Sequence, residues 1–506
     1  MSADQSDERQ GFTSRTPAND NPEKVVYRRG FVTRHQVSGW RFLMRRIASG
    51  VALHDTRMLV DPLRSQSRAV LVGALVLVTG VIGCFIFSLI RPAGVAGDSA
   101  ILADRETSAL YVRLGDQLHP VLNLTSARLI AGRPDNPTMV KSSELDKFPR
   151  GNLIGIPGAP ERMVQNTIGD AEWTVCDSVS GPAAGVTVIA GPLVDGGERA
   201  GALPKHEAIL VANAGGPNAG TWLLWDGRRS PIDLNDRAVT GALGLAADTP
   251  RAVAPGLFNA IPEAPALSAP AIPGAGEPPR YQLPVAAPIG AVVTSFDTDN
   301  TLRHYAVLGD GLQPVSSVVA AILRNANSFG LDQPPRLGAD DVARLPVAAD
   351  IDTAAYPSEP VTLVDAAAAP LTCAQWTHPA DATSSALTLR SGVTLPVPDE
   401  LRTVQLVGAG SGTTANRVVL TPGRGYLVGS GGSYFWVSDT GVRYGIDVDA
   451  DQKAVAALGL TMPALPIPWS LLSQFATGPT LSRGDALLAH DALAADPQPA
   501  VLRETP

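Results

Sequence analysis

The sequence predicts a single-pass membrane protein whose outer part is α+β, with four strand–turn–strand–helix repeats around a β-rich central domain. Three observations predict it. One uncharged apolar run, Ala69–Ile90, is long enough to span a bilayer. The charge is split: residues 1–68 carry 12 Lys+Arg against 7 Asp+Glu, while the rest carries 28 against 41. Four stretches beyond the run repeat one order of signals. A chain of 506 residues has room for several domains. With 45% hydrophobic and 17% charged residues it can bury a core, which excludes general disorder. Its 49 Gly and 43 Pro favour short elements joined by turns over long helices.

The span comes first. Ala69–Ile90 is 22 residues without a charge, and about 20 are needed to cross the hydrocarbon core. It is no secretory signal, because 68 residues precede it and no small-residue cleavage site closes it. Arg41, Arg45, Arg46, Arg57, Arg64 and Arg68 lie before the span, and only Arg91 lies close behind. Positive-inside bias therefore keeps residues 1–68 in the cytoplasm and places 92–506 outside.

Within 1–68, residues 1–30 are polar and turn-rich and are expected to be disordered. From residue 31 to 53 the pattern turns helical. Val37, Trp40, Leu43, Met44, Ile47 and Val51 recur at helical spacing, and Arg34, Arg41, Arg45 and Arg46 mostly fill the other face. Such a basic amphipathic helix can dock in a groove on a partner, lie on an anionic leaflet, or simply anchor the span. Val37, Trp40, Arg41, Leu43, Arg45, Arg46 and Ile47 are the candidate docking residues. Asp61-Pro62 ends the helix before the span.

The four outer stretches are Leu110–Ile130, Trp222–Leu245, His304–Leu323 and Tyr434–Leu460. Each opens on a strand-like run with an aromatic residue. A tight turn follows at Gly115-Asp116, Asp226-Gly227, Gly309-Asp310 and Asp439-Thr440-Gly441. A second short strand and an Ala/Leu-rich helix come next. An Ile-Pro or Leu-Pro pair closes each unit: Ile156-Pro157, Ile261-Pro262, Leu345-Pro346 and Ile467-Pro468. The repeats are assigned to 98–165, 212–275, 289–355 and 421–485. Their irregular spacing argues against a stacked solenoid.

Two β-rich stretches, 166–211 and 356–420, form the two parts of the central domain. Each holds one cysteine, with Trp173-x-x-Cys176 in one and Cys373-x-x-Trp376 in the other. In an oxidising compartment this points to a Cys176–Cys373 disulfide, the alternative being two free buried thiols. Residues 250–288 hold ten prolines and read as an exposed loop or semi-rigid linker. The tail 486–506 is expected to fray.

Signatures of catalysis are mostly missing. None of the five lysines follows a glycine, which excludes a P-loop. Gly408-Ala-Gly410-Ser-Gly412 follows a strand-like run but leads into another β run, so it lacks the helix that a dinucleotide site requires. There is no G-x-S-x-G elbow. His119 stands where the third repeat has Gln313, so it reads as a surface or packing residue. No second Cys or His sits at ligand spacing for a metal. No catalytic residue, metal or cofactor is assigned.

One more set of residues identifies a family. Arg34-His35-Gln36-Val37-Ser38-Gly39-Trp40-Arg41-Phe42-Leu43, Asp55-Thr56-Arg57-Met58-Leu59, Asp61-Pro62-Leu63-Arg64 and Gln66-Ser67-Arg68 resemble the EccB family. EccB is a core membrane subunit of type VII (ESX) secretion systems in mycobacteria and relatives. The length and the Pro-rich stretch look most like the paralogue of the fifth ESX system. The resemblance implies an inner-membrane hexameric machine with EccC (an FtsK-like motor ATPase), EccD and EccE. It also implies outer domains that self-associate and a mycosin protease as partner. No nucleic-acid partner is expected. Some family members carry an ATPase label, which would bring ATP; the sequence offers that label no nucleotide motif. The expected function is thus a structural secretion subunit. The alternatives are an ATP-hydrolysing component and a cell-wall-binding anchor.

Overall fold

The computed structural model describes residues 34–54, 62–90, 94–181, 184–213, 218–245, 249–408, 414–447 and 453–493. The expected disordered segment 1–30, residues 31–33 of the amphipathic stretch, Arg57, Arg91 and the tail beyond 493 lie outside these. The chain divides into two units, 1–93 and 94–506.

The smaller unit holds two helices. The first, α1, runs Arg34–Leu53. Its apolar positions fall three and four apart, which gathers them on one face. The second, α2, runs Pro62–Ile90. Pro62 suits a first helical position, where its missing N–H breaks no bond. This helix starts earlier than the apolar run, because Arg64–Arg68 extend it with good helix formers. Its 29 residues reach about 43 Å, and Gln66–Phe87 has a mean hydropathy of 2.7 with none of the window buried. A chain that exposes the uncharged run Ala69–Phe87 needs an apolar surrounding for it, and a bilayer supplies it.

The larger unit is built on a seven-stranded central sheet. Its spatial order is 404–405, 417–419, 185–190, 171–178, 371–378, 386–392 and 201–202. The two long strands Ala171–Ser178 and Leu371–His378 pair antiparallel at its middle, with Cys176 opposite Cys373 and Trp173 opposite Trp376. Trp173 is buried, meets Tyr426 and Phe475 edge-on at 5.4 and 6.4 Å, and donates to the Pro466 carbonyl at 3.0 Å.

Four small sheets surround it, and they share one connectivity. The first is led by Ile101–Asp104, then Leu110–Leu114 and Gln117–Pro120, antiparallel in turn. The helix Leu124–Ala131 follows, and Thr138–Val140 returns parallel to the leading strand. The second uses Glu207–Asn213, Gly220–Trp225, Arg228–Pro231, the helix Arg237–Leu243 and Arg251–Ala252. The third uses Val292–Phe296, Leu302–Val307, Leu312–Val315, the helix Ser317–Ala326 and Arg336–Leu337. The fourth uses Tyr426–Ser430, Ser433–Val437, Val442–Ile446, the helix Lys453–Ala457 and Leu465–Pro466.

The unit therefore has a leading strand and a closing strand beyond the strand–turn–strand–helix expected. Two-stranded hairpins are marginal alone, and the added strands give each helix a sheet to cover. Asn123, Asp236 and Ser316 cap three of the helices by accepting backbone N–H groups. Gly132 and Gly244 end two of them with φ of 67° and 76°, conformations that favour glycine.

The small sheets pair off. The helices Arg237–Leu243 and Ser317–Ala326 share a core through Val239, Leu243, Val318 and Ile322. The first and fourth sheets share another through Val112, Leu129, Trp436, Ile446 and Leu458. Beside it Leu153–Ile154, which follows the first sheet, pairs antiparallel with Ala489–His490.

Within 250–288, Pro255–Ala260 is a helix with Leu257 and Phe258 buried. Tyr281, Leu283 and Val285 pack on the third sheet. Glu207–Asn213, which the sequence places in the central stretch, pairs with Gly220–Trp225 instead.

Candidate functional site

The candidate docking residues all lie on α1. Val37, Trp40, Met44, Ile47 and Val51 share one face, Leu43 borders it, and all six are exposed, Trp40 by 63%. By helical spacing Arg41 flanks the apolar stripe, and Arg45 and Arg46 lie away from it. The helix carries no acidic residue. Such a surface suits an apolar groove with an acidic rim, or an anionic leaflet.

The two cysteines are joined. Cys176 and Cys373 form a disulfide between directly opposed residues, both fully buried, 197 residues apart in sequence. Ile189, Leu371 and Val419 enclose it. It ties the middle strands of the central sheet, so everything from the second small sheet through the third is one closed loop.

Two ion pairs, and one buried carboxylate under the longer-range pull of an arginine, hold the surrounding parts together, and sequence spacing gave no sign of them. Asp177, next to the disulfide, accepts the Ala254 N–H at 2.7 Å. Burial pushes its carboxyl above the ordinary range, against the pull of that bond and of Arg251. Burial likewise lowers Arg251 to about 10, although Asp177 and Asp365 oppose the shift. Arg251 donates to the Ala369 carbonyl at 2.9 Å. Arg229 is buried, lies 3.8 Å over the Phe258 ring, and pairs with Glu263 at 3.4 Å. Arg390 is buried, bonds Asp195, and donates to the Ala200 carbonyl at 3.0 Å. The Arg390–Asp195 pair joins segments 195 residues apart in sequence.

Among the described residues, no three His, Cys, Asp or Glu side chains gather as metal ligands. His119 bonds the Asn152 carbonyl at 3.0 Å through Nδ1, tying a strand to its neighbouring loop. Of the Gly408–Gly412 run, all but Gly408 lies outside the described residues, and Arg417–Val419 beyond it is a strand.

Residues 29–495 match the family model described as type VII secretion system ESX-1, transport TM domain B. The chain is 68% identical over 505 residues to a Mycolicibacterium smegmatis protein described as ESX-3 secretion system ATPase EccB3, covering 98% of each chain. It is 38% identical over 502 residues to the Mycobacterium tuberculosis protein described as ESX-5 secretion system ATPase EccB5, covering 94% and 97%.

Among solved structures, it resembles an EccB3 dimer from the ESX-3 core complex. That likeness has a TM-score of 0.71 and 62% identity, over 77% of this chain and all of that one. It also resembles a chain in the periplasmic assembly of the ESX-5 inner membrane complex, with a TM-score of 0.72 and 38% identity, over 82% of this chain and all of that one.

These identities correct the expected likeness to the fifth-system paralogue, since the ESX-3 relatives are far closer. Length and a Pro-rich loop misled because surface insertions cost little free energy and so track lineage poorly.

Proposed function

The chain belongs to the EccB family of type VII secretion membrane proteins, and from that premise we propose that it builds the outer core of an ESX-3-type inner-membrane complex. The observation that carries this is the near-full-length likeness to an EccB3 that forms a dimer within the ESX-3 core complex. Residues 1–68 lie in the cytoplasm in this reading. The arginines before the span support that orientation, which puts residues 94–506 in the periplasm in the same reading. The four small sheets are copies of one module, set around the central sheet and available for association with further copies in a hexameric assembly.

The α1 helix docks the motor ATPase EccC through Trp40, Leu43 and Ile47. EccD, EccE and a mycosin protease complete the assembly. Relatives carry ATPase in their descriptions. Here no lysine stands in a phosphate-binding loop, and we assign the hydrolysis to the motor.

The test is affinity purification of the tagged full-length chain from membranes in mild detergent, with mass spectrometry of its companions. A megadalton particle containing an FtsK-like ATPase and multi-span subunits is expected. The double variant Trp40→Ala/Ile47→Ala is expected to lower recovery of that ATPase about tenfold, while dimerisation of the outer region persists. A lone chain that hydrolyses ATP, and loses the activity through a change beyond residue 94, would overturn the reading.

A further inference from the structure

An open cleft of about 560 Å³ lies where three parts of the larger unit meet. One wall is the turn Asp226–Arg228 of the second module, with the end of the helix Pro255–Ala260 and the loop after it. The second wall is central-sheet backbone around Ala386 and Leu387 beside Trp376. The third is Pro468 and Ser470, just after the closing strand of the fourth module. We propose that this cleft binds a neutral oligosaccharide.

Its lining combines one aromatic side chain with several small hydrogen-bonding groups. Among the described residues Trp376 is the one aromatic that lines the cleft, and its ring is oriented by stacking on His378 at 5.9 Å, the planes 11° apart. Asp226, Asn259, Glu263 and Ser470 supply acceptors and donors from different sides. A sugar ring has the matching chemistry, with apolar C–H faces and hydroxyls around its edge. The cleft volume falls within the range of about 300–1,000 Å³ usual for small-ligand sites.

Charge decides against other ligands. Asp226 is balanced by Arg228 at 3.5 Å, and Glu263 by Arg229 at 3.4 Å. The cleft therefore favours neither a cation nor an anion. A proline-rich peptide is read by grooves lined with several aromatics, and here there is one.

The walls are already in place. Gly227 has φ of 74°, and a Cβ there would overlap the Leu387 carbonyl, so the turn is pressed against the central strand. Arg228 is fixed by donating to the Ala354 carbonyl at 3.2 Å, and Arg229 by donating to the Phe258 carbonyl at 2.9 Å. A preformed site loses little affinity to ordering. Because the cleft joins the second module, the central sheet and the fourth module, a bound saccharide braces all three.

The inference stands apart from the assembly role, since binding is measured on the purified chain alone. Full-length protein in a detergent without a sugar headgroup is titrated with chitotetraose and with cellotetraose, followed by calorimetry and tryptophan fluorescence. An anionic hyaluronan tetrasaccharide and a proline-rich peptide serve as comparators. Saturable binding of a neutral tetrasaccharide is expected, weakened about tenfold or more by Trp376→Ala.

Trp376 also packs on the core, so two milder variants guard the test. Asn259→Ala and Ser470→Ala are expected to weaken binding about two- to tenfold each, with unfolding temperature unchanged. The proposal is overturned by absence of binding to both neutral saccharides or by equal binding in the Asn259 and Ser470 variants. Preference for the anionic saccharide or the peptide also overturns it.

Discussion

The second and third modules pair across a short stretch of chain, whereas the first and fourth pair across more than three hundred residues. Both pairs bury a helix-lined core of similar character. Closing the outer pair fixes a long loop, and the entropy of that closure must be met by contacts at the chain ends. The inner pair has covalent help, because the Cys176–Cys373 bond closes a loop around it. One arrangement is thus nested inside the other. The inner pair is held by a bond, and the outer pair by packing and by strands such as Leu153–Ile154 on Ala489–His490.

Removing the bond is the strongest way to break this contrast. The double variant Cys176→Ala/Cys373→Ala is expected to cost about 2–5 kcal/mol in urea unfolding, by freeing the long loop in the unfolded chain. Alanine leaves no buried hydroxyl behind. An unchanged midpoint would mean that the central sheet holds the inner loop without covalent help.

Cutting the tail tests the other half. Deleting residues 487–506 removes the Ala489–His490 strand, the Gly155 N–H bond to the Leu488 carbonyl and the His490 Nε2 bond to the Gly155 carbonyl at 2.8 Å. At about 0.5–1.5 kcal/mol per bond, the loss is expected near 2 kcal/mol. It should appear as faster amide exchange in Leu124–Ala131 and Leu153–Ile154, while Ser317–Ala326 keeps its protection. Equal loosening of both helices would show that the pairs unfold as one unit.

How much of this the sequence reveals depends on length scale. The span declares itself, since an apolar run of that length has few other uses. The hairpin turn Asp226-Gly227 is legible, because both residues take positive φ as such a turn requires. The cysteine pairing is legible from compartment and context. The closing strands are not: Arg251–Ala252 and Arg336–Leu337 have two residues each, too few for any periodicity. The proline-rich stretch misleads for a different reason. Its prolines read as linker, while Leu257, Phe258 and Tyr281 between them decide where it packs. The cleft around Trp376 was out of reach, because its walls come from three segments with no spacing in common. The carboxylate that pairs with each buried arginine, such as Asp195 for Arg390, is hidden likewise.

A smaller effect sharpens the inner side of the comparison. His304 sits on the middle strand of the third module, with Nδ1 buried and without a hydrogen-bond partner. Burial, and then the Arg324 charge, hold its imidazole below the usual value. The unfolded chain takes up that proton near pH 6.5, and the folded chain only at lower pH. Stability is therefore full above pH 6.5 and falls on acidification toward the folded value. Urea midpoints from pH 7.5 to 5 should decline in the wild type and flatten in His304→Gln. The same slope in both would place the titrating group elsewhere.

The smallest effect concerns Tyr281, in the strap that joins the inner modules. Its hydroxyl is buried with no hydrogen-bond partner, and burial raises it to about 12. An unpaired buried hydroxyl contributes nothing that phenylalanine would lose, so Tyr281→Phe is expected to be neutral or stabilising by less than about 1 kcal/mol at pH 7. At high pH the two chains should part. The unfolded wild type ionises from about pH 10 while the folded tyrosine stays neutral, so stability drains away as pH climbs from 10 toward 12. The phenylalanine chain lacks that loss. Denaturation at pH 7 and pH 10.5 separates the cases, and a clear destabilisation at pH 7 would mean that the hydroxyl is bonded in solution and that polar contacts, as well as packing, hold the strap.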